Sequence, residues 1–560
     1  MNNSQISDRI KRLAAMMTLL EENPFKIRSF ENAVRIVRDH DEDMGVLVDE
    51  DRLKDVPGVG KTLAYVIMYY AKAGTVGLEQ DLEAQLPEGL PDLLDLSGLG
   101  MKKVQSLWQQ YDITNLEALK KACDADALVD MKGFGSKLQM KLLEAISFQE
   151  KHARDFYLDI ALPVAQEWMD RLKPLRSITR IELTGKLRRG DCLIQTVEYL
   201  VESNRADLIS ELNEQFDCEL SASEPLIIKD KSGIPVQFWV CKSKTFASEQ
   251  LIRTGGDAFS KRLTEQFGSE AESAIRMLSK VKGVSTEKAL CESIDIKWIE
   301  PELRDMYTQY PEDIKLIEQH DIKGAFHAHS TWSDGRNSLE EMARASRDLG
   351  YQYLGISEHS QAAYYANGLK PDRVKAQWER IDELNDQSKD FHIFKGIEAD
   401  ILSDGSLDYD EELLAGFDFV IASIHSHFHL DPVKQTNRIV RALQSPFTTI
   451  LGHPTGRMLM ARPGYKPDLT TLIDVATDND KLIEINTTPK RLDLDWRYLK
   501  YAREKGLKVS INPDAHSIRG LQTIHLGVRM ARKGGFTSSE VLNTLGADEM
   551  KKYLQDRRVR

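Results

Sequence analysis

Apolar residues recur at helical spacing through residues 4–150. Ile10, Leu13, Met17 and Leu20 fall on one helical face, and Phe30, Ala33, Val34 and Val37 on another. Short glycine turns separate these helices. From about 155 to 300 the pattern becomes mixed: Arg180–Leu183 reads as strand, then comes a basic glycine turn and an apolar run around Ile194–Val201. The remaining residues alternate. Seven short apolar runs, Gly324–His329, Tyr353–Ser357, Ile393–Ile397, Asp418–Ile424, Thr448–Leu451, Leu482–Ile485 and Lys508–Asn512, each end in polar or ligand-type residues. Helical segments such as Leu339–Leu349 and Val433–Leu443 separate most of them. Strand and helix in alternation, with functional residues at strand C-terminal ends, predict a (β/α) barrel. Seven strands rather than eight make it a distorted one.

Within the helical region one plan is repeated: Val56-Pro-Gly-Val-Gly-Lys61, Leu96-Ser-Gly-Leu-Gly-Met101 and Met131-Lys-Gly-Phe-Gly-Ser136. Each is an apolar residue, a Gly-x-Gly turn and a new helix with a lysine near its start. Glycine permits the tight turn, and the free N–H groups of a helix start suit an anion such as a phosphate. Gly58, Gly60, Lys61, Gly98, Gly100, Lys102, Gly133 and Gly135 are the expected backbone contacts to DNA, without base specificity. The plainer alternative is that the glycines only close turns.

At 560 residues the chain exceeds one core and should form three or four domains. A net charge of −13 argues against binding nucleic acid by bulk electrostatics, though not against local contacts. Residues 171–190 carry Arg171, Lys173, Arg176, Arg180, Lys186, Arg188 and Arg189 against Glu182 alone. The longest apolar run, Phe417–Ile424, is broken by Asp418 and is strand length, so no membrane partner is expected. The N-terminus has no secretion pattern, and five scattered cysteines (123, 192, 218, 241 and 291) fit a reducing cytoplasm.

Ten of the thirteen histidines lie in 321–560. His327 and His329 alternate on the first barrel run, which in a strand points both imidazoles one way, and Asp334 follows a turn-prone Ser-Asp-Gly. Other run ends supply Glu358-His359, Glu398 with Asp400, His425 with His427, His453, and Asp514 with His516. Imidazoles and carboxylates without sulfur suit Zn²⁺, Mn²⁺ or Fe²⁺. His392, His427, His429 and His525 are assigned to core or surface. Arg457 and Arg462 could fork onto a phosphate, with Lys490 and Arg491 as lesser candidates; pairing with nearby aspartates is the alternative.

The glycine turns resemble helix-hairpin-helix motifs. Gly185-Lys-Leu-Arg-Arg-Gly190, Arg253-Thr-Gly-Gly256 and Ile299-Glu-Pro-Glu-Leu-Arg304 resemble the nucleotidyltransferase core of a bacterial-type family X DNA polymerase. The histidine segments resemble a PHP phosphoesterase domain across roughly 321–540. The resemblance implies a multidomain α and α/β chain: a helical DNA-binding domain (1–80), a fingers-like helical domain (81–152), a palm (153–225), a thumb-like region (226–305), a linker (306–320) and a PHP barrel (321–560). It also implies nine metal ligands, His327, His329, Asp334, His359, Glu398, His425, His453, Asp514 and His516, for two or three divalent transition-metal ions with Glu398 able to bridge. His327 and Glu398, with Arg457 and Arg462, form the expected catalytic group. Glu358 stands where the family has aspartate.

The palm departs from its family, which needs three carboxylates for two Mg²⁺ ions. Those positions fall on Thr196, Glu198 and Gln237. The lysine with which eukaryotic relatives form a Schiff base is Val66 here. The expectation is a 3′→5′ exonuclease or 3′-end-processing phosphoesterase in DNA repair, with nucleotidyl transfer lost and repair-protein partners unspecified. A histidinol-phosphatase-like phosphomonoesterase and a DNA-binding scaffold with structural metals are the alternatives.

Overall fold

The computed structural model describes residues 1–38, 40–96, 98–216, 220, 225–309 and 315–558. Cys218 and residues 310–314 of the expected linker lie outside them. The chain forms two compact units: residues 1–155 with 230–233 and 460–463, and residues 156–229 with 234–459 and 464–560.

The first unit is built of helices. Asn2 and Gln5 close a capping box that starts the helix Asn3–Leu19. The helix buries Ile6, Ile10, Leu13 and Met17 in one core with Phe30, Val37, Leu63, Val104 and Ile146. A single core therefore runs beneath both of the helical regions distinguished in the sequence. The three glycine turns share the conformation of their first glycine, while the second differs in the third turn, with φ of −79° at Gly60, −87° at Gly100 and 174° at Gly135. Gly58, Gly98 and Gly133 take φ of 87°, 96° and 88°, in the left-handed region open to glycine. In each, an N–H bonds three residues back, Val59 to Val56 (3.1 Å), Leu99 to Leu96 (3.2 Å) and Phe134 to Met131 (3.0 Å). Gly60, Gly100 and Gly135 then open the helices Lys61–Ala73, Met101–Tyr111 and Ser136–His152 with no side chain capping them.

In the second unit, a four-stranded sheet comes first: β1 (Ile178–Thr184), β2 (Val197–Ser203), β3 (Leu226–Lys229) and β4 (Pro235–Cys241). Its order is β1-β2-β4-β3, and only the β2–β4 pair is parallel. The barrel follows: β5 (Gly324–Ala328), β6 (Tyr353–His359), β7 (His392–Asp400), β8 (Phe419–Ser423), β9 (Ile450–Leu451), β10 (Leu482–Asn486) and β11 (Val509–Asn512). All seven expected strands are present, parallel and in sequence order. Strands β5 to β8, β10 and β11 are almost wholly buried, which explains why they read as continuous apolar runs rather than as alternating ones.

Phe326, Tyr353, Phe394 and Phe419 fill the barrel interior with Ile450 and Leu482. Gly396 makes room for this layer, since a Cβ there would lie 2.1 Å from Phe419. Among the described residues no eighth strand joins β11 to β5. At the top of the seam, Ala515 N–H donates to His327 C=O (3.0 Å) and His329 N–H to Ala515 C=O (2.8 Å). Lower down, the buried Asn543 side chain donates to the carbonyls of Gly324 (3.1 Å) and Ile511 (2.9 Å) and accepts from Ile511 N–H (2.7 Å). One amide thus serves backbone groups that would otherwise be buried without partners.

Candidate metal centre

Every barrel strand sends a polar side chain to its C-terminal rim, and nine of these side chains converge. Glu398, fully buried at the end of β7, is the hub. Its Oε1 lies 3.1 Å from His327 Nε2, 2.9 Å from His453 Nε2 and 3.3 Å from His425 Nε2. Its Oε2 lies 2.9 Å from His359 Nδ1 and 3.8 Å from His329 Nε2. Asp514 Oδ1 stands 3.4 Å from His329 Nε2 and 3.6 Å from His327 Nε2. On the open side, Asp334 Oδ1 is 3.6 Å from His359 Nε2 and 3.4 Å from His516 Nε2. Two donors on one tetrahedral Zn²⁺ at about 2.0–2.1 Å stand about 3.4 Å apart, so these separations suit shared ions.

The donors fall into four overlapping groups: His329, Asp334, His359 and His516; His327, His453 and Asp514; His327, His329 and Glu398; and His359, Glu398 and His425. Glu398 belongs to two of them, which fits a bridging carboxylate. Both ring nitrogens of His329, with His327 Nε2 and Glu398 Oε2, are buried without a hydrogen-bond partner. Atoms so placed cost free energy unless something else binds them, and a cation in the cage would do so.

His327 and His329 reach this centre by a route that strand alternation does not supply. Pairing of β5 with β6 shifts register between Ala325 and Ala328, and His327 takes φ of 59°. Asp514, on the opposite side of the seam, has φ of 50°. Non-glycine residues held in this region are uncommon and cluster at functional sites.

Carboxylates behind the ligands orient them. Glu484, fully buried on β10, lies 2.5 Å from His327 Nδ1, accepts His453 N–H (2.7 Å) and takes the side-chain amides of Asn486 (3.1 Å) and Asn512 (3.0 Å). This pairing turns His327 Nε2 toward Glu398. Asp400 Oδ1 lies at ion-pair distance from His425 Nδ1, 3.3 Å, without a hydrogen bond. Glu358 accepts the N–H and hydroxyl groups of both Ser330 and Ser333 and the amide of Gln377, so it holds the turn between His329 and Asp334. Glu484 had no place in the sequence reading. Its signal was a single carboxylate inside the apolar run Leu482-Ile-Glu-Ile485.

Burial opposes every charge here, and the partners reverse it. His327 is held well above the usual imidazole range by Glu484, Asp514 and Glu398 despite burial. His425 is raised to about 10 by Glu398 and Asp400 against the same penalty. Glu398 and Asp514 stay well below the carboxylate range because surrounding imidazoles outweigh burial. His329 goes the other way, pushed well down by burial and by His516 and His359, and so remains a neutral donor.

The basic candidates separate. Arg457 is buried, and its guanidinium is taken up by Asp495 and the carbonyls of Arg491 and Leu492. That is the structural pairing, and it clamps the segment 491–495. Arg462 is exposed, on the segment 460–463 that belongs to the first unit. Arg491 approaches the centre, its Nε 3.9 Å from Asp514 Oδ2. Lys490 lies over the Tyr157 ring. His427 and His429 are exposed, and neither is in a ligand group.

In the four-stranded sheet, Glu198 lies opposite Gln237 across β2 and β4, with Thr196 just before β2. Its carboxylate accepts Trp239 Nε1–H at 3.1 Å, and burial raises its pKa against Trp239, Arg189 and Arg253. Arg188 pairs with Glu287 and Thr254, and Arg189 with Asp305 and the Thr254 carbonyl. Asp191 is paired with the buried Lys533 at 2.7 Å. In the first unit, Gly58, Gly60, Lys61, Gly98, Gly100, Lys102 and Gly133 are exposed, and Gly135 is half-buried.

Comparison with known proteins follows these divisions. A helix-hairpin-helix domain family matches residues 1–76, a SAM-like helix-hairpin-helix tandem family matches 90–147, and the PHP domain family matches 325–488. A probable phosphatase of Thermoanaerobacter sp. (strain X514) is 27% identical over 41% of this chain and 91% of its own length. A probable phosphatase of Caldicellulosiruptor saccharolyticus is 27% identical over 34% of this chain and 78% of its own. The DNA polymerase/3'-5' exonuclease PolX of Bacillus subtilis (strain 168) is 32% identical over 99% of this chain and all of its own length. Aligned from end to end with that protein, and carrying helix-hairpin-helix regions ahead of a PHP barrel, the chain belongs to the bacterial family X DNA polymerases.

Proposed function

We propose that the barrel is a metal-dependent 3′→5′ exonuclease or 3′-end-processing phosphoesterase acting on DNA, and that the palm no longer transfers nucleotides. The reading rests on eight side chains gathered with Glu398 at one rim. Divalent ions held by these residues would make hydroxide available near neutral pH and offset charge on a phosphoryl transition state. Glu484 fixes the tautomer and direction of His327, and Asp400 sets a negative charge beside His425. Asp334 and His516 have more exposed side chains (35% and 39%) and mark the side from which substrate enters. Arg491, rather than the internally paired Arg457, is the guanidinium placed to meet a phosphate.

The glycine-started helices of residues 1–80 and 81–152 are proposed to hold the DNA backbone, with Arg188 and Arg189 adding charge beside the palm. The further divisions at 153–225, 226–305 and 306–320 are kept as palm, thumb-like region and linker. Thr196 and Gln237 leave one carboxylate where nucleotidyl transfer needs three. The four described cysteines are free, which supports a reducing, cytoplasmic setting.

The test is incubation with Mn²⁺ and a 5′-labelled duplex. Strands should shorten from the 3′ end, His327→Ala should abolish this, and added dNTPs should give no extension. Template-directed extension would overturn the palm reading. Cleavage of phosphomonoesters alone would favour a small-molecule phosphatase, the reading that the matched probable phosphatases support.

A further inference from the structure

Two large aromatic side chains stand in the open on the loop that follows His359. Tyr364 is 85% exposed and Tyr365 64% exposed. They lie on a single 3-10 turn, Tyr364–Ala366, five residues beyond the ligand His359. The loop beneath them is fastened at both ends. Ser360 N–H donates to Glu398 C=O (3.1 Å) and Leu369 N–H to His359 C=O (2.9 Å). Ala362 N–H donates to Asp408 Oδ2 (2.8 Å), and the Asn367 amide to Ser333 C=O (2.9 Å). Gly368 sits so close to the Ser360 carbonyl that a Cβ would lie 1.9 Å from it. The loop is rigid, yet it leaves two aromatic faces in water where burial would be favoured.

The position of the pair indicates its use. The loop's bonds to the Glu398 and His359 carbonyls hold it at the rim, and partial desolvation of the Tyr365 hydroxyl, with Asp400, Glu398 and Asp334, pushes its pKa up while Arg491 acts in the opposite sense. The hydroxyl therefore shares one electrostatic neighbourhood with carboxylates of the centre and with the guanidinium next to Asp514. The two rings stand edge to face, centroids 6.0 Å apart, so they offer faces in two directions. An aromatic face, a metal cage and a guanidinium in one small area match a nucleotide at the end of a strand: base, scissile phosphodiester and neighbouring phosphate.

We propose that Tyr364 and Tyr365 form a stacking platform for the terminal nucleobase of a DNA strand whose last phosphodiester lies at the metal centre, with Arg491 taking the adjoining phosphate. The proposal rests on the nuclease reading and deepens it. Stacking is tolerant of base identity, so the platform would select nucleic acid over simple phosphate esters without selecting sequence.

The test uses the Mn²⁺-loaded full chain and two 5′-labelled strands, one ending in thymidine and one in a base-free tetrahydrofuran nucleotide. For the wild type, KM for the base-free end should be higher by about 5- to 100-fold. In Tyr364→Ala and Tyr365→Ala that ratio should fall toward about 1 through a rise in KM for the thymidine end. Tyr364→Phe and Tyr365→Phe should keep the ratio, which also guards against misfolding as the cause. Arg491→Ala should raise KM for both strands. A ratio unchanged in both alanine variants, or already near unity in the wild type, overturns the platform while leaving the nuclease intact. A wild type that degrades neither strand overturns the nuclease reading itself, and the platform with it.

Discussion

Glu484 acts on the metal centre without belonging to any of the ligand groups. It receives His327 Nδ1 and His453 N–H together, so it sets one imidazole's direction and fixes the chain at another ligand. Its replacement by glutamine preserves shape but removes the charge that makes His327 a strong donor. Glu484→Gln is expected to weaken metal binding by about 10- to 100-fold, measured by titration with a metal indicator, with little change in fold. A second residue reports on pH. Asp159, at the start of the helix Leu158–Leu172, is raised to about 6 by burial, which outweighs Lys490 and Arg519. The folded state then holds the proton to higher pH than the unfolded chain, so stability falls as pH rises from about 4 to 6. Asp159→Asn should remove up to about 3 kcal/mol of that dependence in denaturation measured at pH 4 and pH 7. At this scale the clustering was legible, because histidines and carboxylates gathered at the ends of apolar runs come together at one rim of the barrel. The sequence displayed their supports poorly. A carboxylate within an apolar strand looks like an interruption until its partners appear, and the pairing of Arg457 with Asp495 depends on a turn that spacing does not specify.

The glycine turns and the barrel strands differ in how local their causes are. A Gly-x-Gly turn is dictated by backbone sterics, and the first glycine of all three turns is left-handed. Gly133 takes φ of 88° with nothing within 4 Å of where a Cβ would stand, so Gly133→Ala isolates the backbone cost. It should destabilise the helical unit by about 1–2 kcal/mol, read as a shift in denaturant midpoint. Gly58→Ala should cost more, because Ile36 Cδ1 lies 2.6 Å from the added carbon. Strands β5 to β11 were legible for a different reason: each is buried on both faces and reads as a short apolar block. The approach of His327 and His329 was not legible. Alternation applies to a regular strand, whereas the register shift after Ala325 comes from closing β5 onto the segment after β11.

Across the whole molecule, metal and nucleic acid should act on different units. Ions in the centre would join ligands from six of the seven strands and so stabilise the barrel by mass action, by about 4 kcal/mol when metal is at a thousand times its dissociation constant. Chelation should therefore lower the melting temperature of the barrel-containing unit and leave the helical unit's transition in place, as followed by calorimetry. His327→Ala should show little further loss on chelation. DNA binding should have a shallow salt dependence. A chain of net charge −13 that grips through three glycine turns should give a log–log slope of about −3, far from that of a strongly basic protein.

The seam closed by Asn543 has a consequence for the order in which the protein becomes active. His327 and His329 leave the ribosome nearly two hundred residues before Asp514, and the amide that ties their strand to the last one follows later still. The early ligands must wait, unassembled, while the rest of the barrel is synthesised. A nascent chain paused or cut short of residue 543 would carry every imidazole of the centre yet lack the tie between its two halves, so hydrolytic capacity should be withheld during translation until that tie can form.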